Sequence, residues 1–181
     1  MKRPKHHHGN APQQIGIAIL TVSTSRTMDT DKSGHWIIQR ARKEGYRLET
    51  HIIIPDNLEL IRKTVLDLCN QSQVNVILMT GGTGLSPNDL TIEAVTPLFT
   101  KSIPAFAAIF SYLSFEQIDS AAILSRATAG CIENTVVFCM PGSLDAVKLA
   151  CKELIFGELN HICHHVFEKK EQVVKGISGD E

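Results

Sequence analysis

Short runs of apolar residues recur along this chain, separated by segments with a different apolar spacing. Continuous runs occupy residues 15–20, 74–79 and 135–140, and another ends at residues 51–54. A continuous run makes both faces of a strand apolar, which is typical of strands that are buried on both sides. We therefore predict strands of a covered sheet at these positions.

The segments between these runs carry apolar residues at three- and four-residue steps, which is the spacing of one helix face. One helix is predicted over residues 33–44, with Gly45 closing it. A second helix follows from a stripe at Leu58, Ile61, Val65, Leu68 and Cys69. Further helices are predicted from near Leu90, across residues 105–113, and along a late stripe formed by Val147, Ala150, Cys151, Leu154 and Ile155.

The alternation of strands and helices predicts the fold class. Repeated βαβ crossovers give an α/β protein with a mostly parallel sheet that helices cover on both faces. We find no internal repeat and no linker within residues 15–167, so these residues are predicted to form a single domain. Residues 1–14 and 168–181 are polar and charged, and we expect a flexible N-terminal arm and a flexible C-terminal tail.

Composition and charge exclude several classes of partner. Hydrophobic residues make up 43% of the 181 residues and the formal net charge is −1. With no strong field to attract nucleic acid or anionic lipid, we expect neither as a partner, and any anion-binding site must be local. No apolar run approaches the roughly 18 residues of a membrane span. The N-terminal segment also lacks the apolar core of a secretory signal.

Cysteine usage indicates the redox compartment. The count is odd, no CxxC motif occurs, and all five residues lie in apolar or helical stretches: Cys69, Cys131, Cys139, Cys151 and Cys163. Free thiols in a reducing compartment explain this pattern better than a disulfide framework. The expected location is the cytoplasm.

Polar segments follow the predicted strands at the points where those strands end. In open parallel sheets, ligands bind beyond the carboxyl ends of the strands. The segments that fall at this edge are residues 23–33, 55–57, 80–89 and 141–143. Their convergence predicts a ligand site at this edge of the sheet.

The segment Thr80-Gly81-Gly82-Thr83-Gly84 is the candidate centre of that site. Its glycines allow positive φ and close approach of the backbone, so successive amides can point at one oxyanion. The loop lacks the Gly-Lys-Ser/Thr of a Walker A sequence, and Pro87 replaces the third glycine of a dinucleotide fingerprint. The alternative is a tight strand-to-helix connection whose glycines serve geometry alone.

Asp56 and Asp89 lie at the same predicted edge, and each has two interpretations. Aspartate is a common helix N-cap, and Glu59 follows Asp56 at the spacing of a capping box. Alternatively the two carboxylates hold Mg²⁺ between phosphates, since this ion takes one or two carboxylates together with phosphate oxygens.

Two further features carry weaker signals. His161, Cys163, His164 and His165 place soft ligands close together, but no second ligand pair with zinc-like spacing occurs, so a His-rich helix surface is the favoured interpretation. Ser23 has no G-x-S-x-G elbow around it, and we expect its hydroxyl to contact a ligand rather than act as a nucleophile.

Five motifs in order resemble one family. They are Thr21-Val22-Ser23, Asp31-Lys32-Ser33-Gly34, the glycine loop with Asp89, Leu124-Ser125-Arg126-Ala127, and Met140-Pro141-Gly142-Ser143. Together they resemble the MoaB/Mog family of molybdenum cofactor biosynthesis proteins, which is related to the G domain of gephyrin. The resemblance extends over roughly residues 15–167. It implies a three-layer α/β/α sandwich that assembles as a homotrimer or hexamer, and other molybdenum cofactor assembly proteins as partners.

The resemblance also implies the ligands and the reaction. Members bind molybdopterin, and active members adenylylate its terminal phosphate with Mg-ATP and release pyrophosphate. Asp56 and Asp89 match the two acidic positions associated with activity, which implies catalytic and Mg²⁺-binding roles for both. The implied substrate- and nucleotide-binding residues are Ser23, Thr80, Gly81, Gly82, Thr83, Gly84, Ser125, Arg126, Pro141, Gly142 and Ser143.

Three positions depart from the family pattern. Asn88 replaces an arginine that usually precedes the second aspartate, and Ala108 and Ser111 replace a glutamate and an arginine common in bacterial members. These departures favour the alternative hypothesis of a non-catalytic molybdopterin-binding protein or oligomeric partner in the same pathway.

Overall fold

The computed structural model describes residues 14–167 of the chain. The flexible arm predicted at residues 1–14 and the tail predicted at residues 168–181 lie outside the described residues, except for Gln14. None of the helices within residues 14–167 has the length and apolar character needed to cross a bilayer.

Six strands form one sheet in the order β2-β1-β3-β6-β5-β4 within the described part of the chain. β1, β2, β3 and β6 are parallel neighbours, whereas β5 is antiparallel to both β4 and β6. The mostly parallel sheet that the sequence predicts is therefore confirmed. The strands are β1 Gly16–Val22, β2 Arg47–Ile54, β3 Val76–Thr80, β4 Lys101–Ser102, β5 Thr128–Ile132 and β6 Thr135–Met140.

Neither β4 nor β5 is predicted by the apolar pattern of the sequence, and each has a physical reason for lacking that pattern. β4 has two exposed residues and no apolar signal. β5 carries Gly130 at its centre, and a side chain there would overlap the ring of Phe99, with a Cβ only 2.5 Å from its Cγ. Because only glycine fits at this position, the centre of β5 lacks the β-branched or aromatic residue that usually indicates a strand.

Six α-helices connect and cover the strands of the described residues. They are α1 Lys32–Lys43, α2 Leu58–Cys69, α3 Thr91–Val95, α4 Pro104–Ile118, α5 Leu144–Leu149 and α6 Leu159–Phe167. Gly45, with φ of 86°, closes α1 as predicted. The late predicted helix is divided, because a π-helical segment at Ala150–Ile155 follows α5.

Alternating side chains of the strands pack into two separate cores. Ile17 and Ile19 of β1 face the core that α1, α4, α5 and α6 cover, whereas Ala18 and Leu20 face the core that α2 and α3 cover. β3 and β6 alternate in the same way. The sheet thus lies between two helical layers, which confirms the three-layer α/β/α sandwich.

Candidate functional site

A cavity of about 560 Å³ opens at the carboxyl ends of the parallel strands. This volume suits a ligand of small-molecule size. All four of the polar segments predicted to converge contribute residues to this cavity. The lining comes from Val22, Ser23, Ser25 and Arg26 after β1, Asp56 after β2, Gly81, Gly82, Thr83, Gly84 and Asp89 after β3, Leu124 and Ser125 before β5, and Pro141, Gly142 and Ser143 after β6.

Two of the residues implied by the resemblance do not line this cavity. Thr80 is buried, and its hydroxyl donates to the carbonyl of Pro141 (3.2 Å), so it joins the loops after β3 and β6. Arg126 donates through Nε to the carbonyl of Thr83 (2.9 Å) and pairs with Glu93 (2.6 Å). Arg126 also lowers the pKa of Glu93 by hydrogen bonding. Thr80 therefore links the glycine loop to the loop after β6, and Arg126 contacts the glycine loop without lining the cavity.

The glycine loop is pressed against the end of β1. Gly81 and Gly82 have φ of 95° and 61°, and a Cβ on Gly81 would lie 2.2 Å from the carbonyl oxygen of Val22. Thr91 fixes the loop from the other side, donating to the carbonyls of both glycines. Within residues 14–167 the amides of Gly82, Thr83 and Gly84 donate to no protein acceptor, which leaves them available to an oxyanion.

Asp56 lies beside this loop and does not cap a helix. The N-cap of α2 is Asn57, whose side chain accepts from the amide of Leu60. Asp56 instead accepts through Oδ2 from the amide and hydroxyl of Thr24, at 3.0 and 2.8 Å. A Cβ on Gly82 would lie 3.0 Å from Asp56 Oδ1, so this oxygen faces the glycine loop.

Asp89 flanks the other end of the same loop. The N-cap position of α3 is Leu90, which makes no capping bond, so the capping interpretation is wrong for Asp89 as well. Asp89 accepts through Oδ2 from the amide of Ser86 (2.9 Å). A Cβ on Gly84 would lie 2.7 Å from that oxygen. The two carboxylates therefore border the glycine loop, and each keeps its Oδ1 without a donor among the described residues.

Sequence reasoning missed Arg26, which lies within the polar segment after β1. Its guanidinium donates to the carbonyl of Gly142 (2.7 Å) and pairs with Asp31 (3.4 Å). Ser23 Oγ accepts from the amide of Arg26 and shapes this turn. The available signal was a basic residue in a polar loop that directly follows a buried strand.

Asp31 is a fully buried carboxylate that contacts Arg26 of the cavity lining. It accepts from Thr21 Oγ1 (2.5 Å) and from the amide of Gly34 (3.0 Å), and its Oδ2 lies 3.0 Å from His51 Nε2. Burial alone would raise the pKa of Asp31, but hydrogen bonds from His51, Thr21 and Gly34 outweigh burial and hold the pKa well below its usual range.

This depressed pKa predicts an acid-dependent loss of stability. The contribution of Asp31 is complete above its unfolded pKa of about 4 and is lost as pH falls from there through the folded pKa. We expect the unfolding free energy of the wild type to fall more steeply between about pH 5 and pH 3 than that of an Asp31→Asn variant. Urea unfolding at a series of pH values measures both slopes, and equal slopes would contradict this assignment.

The His-rich segment lies on α6, outside the cavity. His161 and His165 bring their Nε2 atoms within 2.9 Å of each other, and His161 Nδ1 lies 3.7 Å from Glu158. Cys163 is buried, and burial raises its pKa to about 12. Within the part of the chain that the structure describes, no group of three or more His, Cys, Asp or Glu side chains is arranged to hold a metal ion.

The three positions that depart from the family pattern also lie outside the cavity lining. The amide of Asn88 donates to Ser86 Oγ (3.4 Å) in the turn that precedes Asp89. Ala108 and Ser111 lie on α4.

The fold and the cavity define an open α/β protein that presents unpaired backbone amides and two carboxylates at the ends of its strands. Comparison with known proteins identifies it further. Residues 18–161 match a family model described as "Probable molybdopterin binding domain". The chain belongs to the MoaB/Mog family of molybdenum cofactor biosynthesis proteins.

Individual relatives agree with this assignment. The chain is 43% identical over 167 residues to molybdenum cofactor biosynthesis protein B of Bacillus subtilis, covering 92% of this chain and 98% of that protein. A crystal structure of a molybdenum cofactor biosynthesis protein B is similar, with a TM-score of 0.83, 41% identity, and coverage of 86% and 98%. The tungsten cofactor synthesizing protein MoaB from Pyrococcus furiosus is 35% identical, with a TM-score of 0.77 and coverage of 86% and 99%.

Proposed function

We propose that this protein binds molybdopterin in the cavity and adenylylates its terminal phosphate with Mg-ATP. The observation that carries the proposal is the placement of Asp56 and Asp89. Both carboxylates border the glycine loop and line the cavity, and neither caps a helix. Carboxylates placed in this way must be balanced by a cation if a phosphate is to enter the same cavity.

The carboxylates fit a magnesium ion. Each has one oxygen anchored by a backbone amide, which fixes its orientation, and each keeps Oδ1 for a ligand. Hard carboxylate oxygens are the protein ligands that Mg²⁺ prefers alongside phosphate oxygens. When bound, this ion would supply charge neutralisation for the nucleotide phosphates.

The residues of the chain would bring two phosphates together. An oxygen of the molybdopterin phosphate forms a bond to the α-phosphorus of ATP while the bond from that phosphorus to the bridging β-phosphate oxygen breaks, and pyrophosphate leaves. The amides of Gly82, Thr83 and Gly84 can hold one phosphate by backbone hydrogen bonds. Catalysis of this transfer depends mainly on positioning and charge stabilisation, which a rigid loop provides.

A second candidate is a protein that binds molybdopterin without turnover. Asn88, Ala108 and Ser111 favour it, because each replaces a residue of the family pattern. Incubation of the purified protein with molybdopterin, ATP and Mg²⁺ separates the two functions. We expect adenylylated molybdopterin and an equal amount of pyrophosphate, with no product in EDTA; bound but unmodified molybdopterin would support the second candidate.

We further propose that the protein is a cytoplasmic homotrimer or hexamer. Large apolar side chains are exposed along α4 and along the 3-10 helix Asp119–Leu124 that follows it, namely Ile109, Tyr112, Phe115, Ile118 and Ile123. An apolar face of this kind is typical of a surface that a second copy covers. The five cysteines are free thiols, which supports a reducing compartment, and other molybdenum cofactor assembly proteins are the further partners that we propose.

A homotrimer or hexamer can be distinguished from a monomer by its mass in solution. Sedimentation should give three or six times the protomer mass of 19.9 kDa. A Phe115→Glu variant, with a charge in the middle of the apolar face, should shift the protein toward the monomer, whereas a Leu66→Glu variant on α2 should not. A monomeric wild type would contradict the proposal.

A further inference from the structure

The side chains that line the cavity include more negative charges than positive ones. Among the residues that the structure describes, the lining holds two carboxylates, Asp56 and Asp89, and a single basic side chain, Arg26. The carboxylates approach Gly82 and Gly84, whereas Arg26 approaches Gly142. The cavity thus has an acidic side at the glycine loop and a cationic side at the loop after β6.

Arg26 is held rigidly, yet it keeps free donors. One terminal nitrogen donates to the carbonyl of Gly142 at 2.7 Å, and the other lies 3.4 Å from Asp31. A guanidinium carries five N–H donors, so these contacts leave donors for a ligand. The Arg26 side chain is 29% exposed, and Arg26 is one of the residues that line the cavity.

Asp31 is the acidic contact of Arg26, and its own position is fixed. This carboxylate is anchored from β1 by Thr21, from β2 by His51 and from α1 by the amide of Gly34. Gly34 packs closely against Asp31 and His51, since a Cβ on Gly34 would lie 2.3 Å from Asp31 Oδ2 and 2.5 Å from His51 Nε2. The carboxylate of Asp31 therefore has a fixed position beside the guanidinium of Arg26.

We propose that Arg26 is the cationic contact for a phosphate group of the bound ligand, and that Asp31 is the positioning residue that orients it. The inference rests on the proposed function, because it requires a phosphate-bearing ligand in this cavity. A planar guanidinium presents parallel donors that match phosphate oxygens. A preoriented guanidinium also loses less side-chain entropy on binding.

Binding measurements on three variants test the role of Arg26. Arg26→Gln should weaken binding of molybdopterin or of ATP about 10- to 100-fold, as expected for the loss of a charged hydrogen-bonding partner. Arg26→Lys keeps the charge but not the planar donors, and it should lose less. Arg62→Gln is the matched control, because Arg62 also contacts one carbonyl and one carboxylate, those of Ala94 and Glu59, outside the cavity.

Three ligands identify which phosphate is bound. Titration with molybdopterin, with its dephosphorylated form and with ATP is compared for the wild type and Arg26→Gln. A loss for molybdopterin alone assigns the pterin phosphate, and a loss for ATP alone assigns the nucleotide. If both Arg26 variants bind molybdopterin and ATP with the affinities of the wild type, the proposal is overturned. Arg26 would then be a purely structural contact between loops.

A double-mutant cycle tests the role of Asp31. Asp31→Asn should weaken the same ligand about 3- to 30-fold in the wild-type background and have little further effect in Arg26→Gln, because it acts through Arg26. A structural role would weaken binding by the same factor in both backgrounds, and that result would overturn the positioning role. All affinities are measured without turnover, so they stand even if adenylylation, and with it the catalytic part of the proposed function, fails.

Discussion

An Asp89→Asn variant is expected to lose adenylylation by about 100-fold or more while its affinity for molybdopterin stays within about threefold of the wild-type value. Asparagine keeps an oxygen that can accept from the amide of Ser86, so the loop around residue 89 retains its anchor. The substitution removes the negative charge that would hold Mg²⁺. The loss should therefore appear in turnover rather than in pterin binding.

Asp56→Asn should behave in the same way, since one amide oxygen can accept both bonds from Thr24. Asp67→Asn on α2 is the matched control, because this exposed carboxylate lies away from the cavity. Product formation and molybdopterin binding are measured on all three variants. Unchanged turnover in Asp56→Asn or Asp89→Asn would remove that aspartate from the proposed metal site.

A Gly81→Ala variant is expected to lose about 3 kcal/mol or more of unfolding free energy, or to fail to fold. Two costs add at this position. The φ of 95° is one that L-residues rarely adopt, and the new Cβ would lie 2.2 Å from the carbonyl oxygen of Val22. Because that oxygen belongs to the backbone at the end of β1, relief of the overlap must displace the loop that lines the cavity.

Two other glycines separate these costs. Gly45→Ala has the positive φ with no atom within 4 Å of the new Cβ, and it should cost about 1 kcal/mol. Gly157→Ala has neither the positive φ nor a neighbour, and it should change stability by less than about 0.5 kcal/mol. Chemical unfolding of the three variants gives the comparison. Equal losses in Gly81→Ala and Gly45→Ala would show that the contact with Val22 is unimportant.

The sequence predicted the parts of the fold that depend on local pattern. β1, β3 and β6 are continuous apolar runs because both of their faces are buried, so their positions could be read directly. β5 could not be predicted, because its central Gly130 is required by the nearby ring of Phe99, which is 31 positions away in sequence. The division between α5 and the π-helical segment likewise has no signal in the apolar stripe.

The candidate site was predictable as a location, since polar loops at strand ends meet wherever the strands are parallel. Its internal contacts were not. Asp56 and Asn57 are adjacent in sequence, and only the structure shows that Asn57 caps α2. Arg26 joins the site through its contact with Gly142, which lies 116 positions away in sequence. Arg126 contacts Thr83 and Glu93 and does not line the cavity.

We propose that this cavity holds a divalent cation and a phosphate-bearing ligand between Asp56 and Asp89. A crystal structure of the protein with ATP and Mn²⁺ in place of Mg²⁺ tests it most directly, because manganese is located by its anomalous scattering. We expect one anomalous peak in contact with both carboxylates and with phosphate oxygens, and phosphate density at the amides of Gly82, Thr83 and Gly84. Nucleotide bound elsewhere, or bound in the cavity with no manganese at either aspartate, would rule out this metal site.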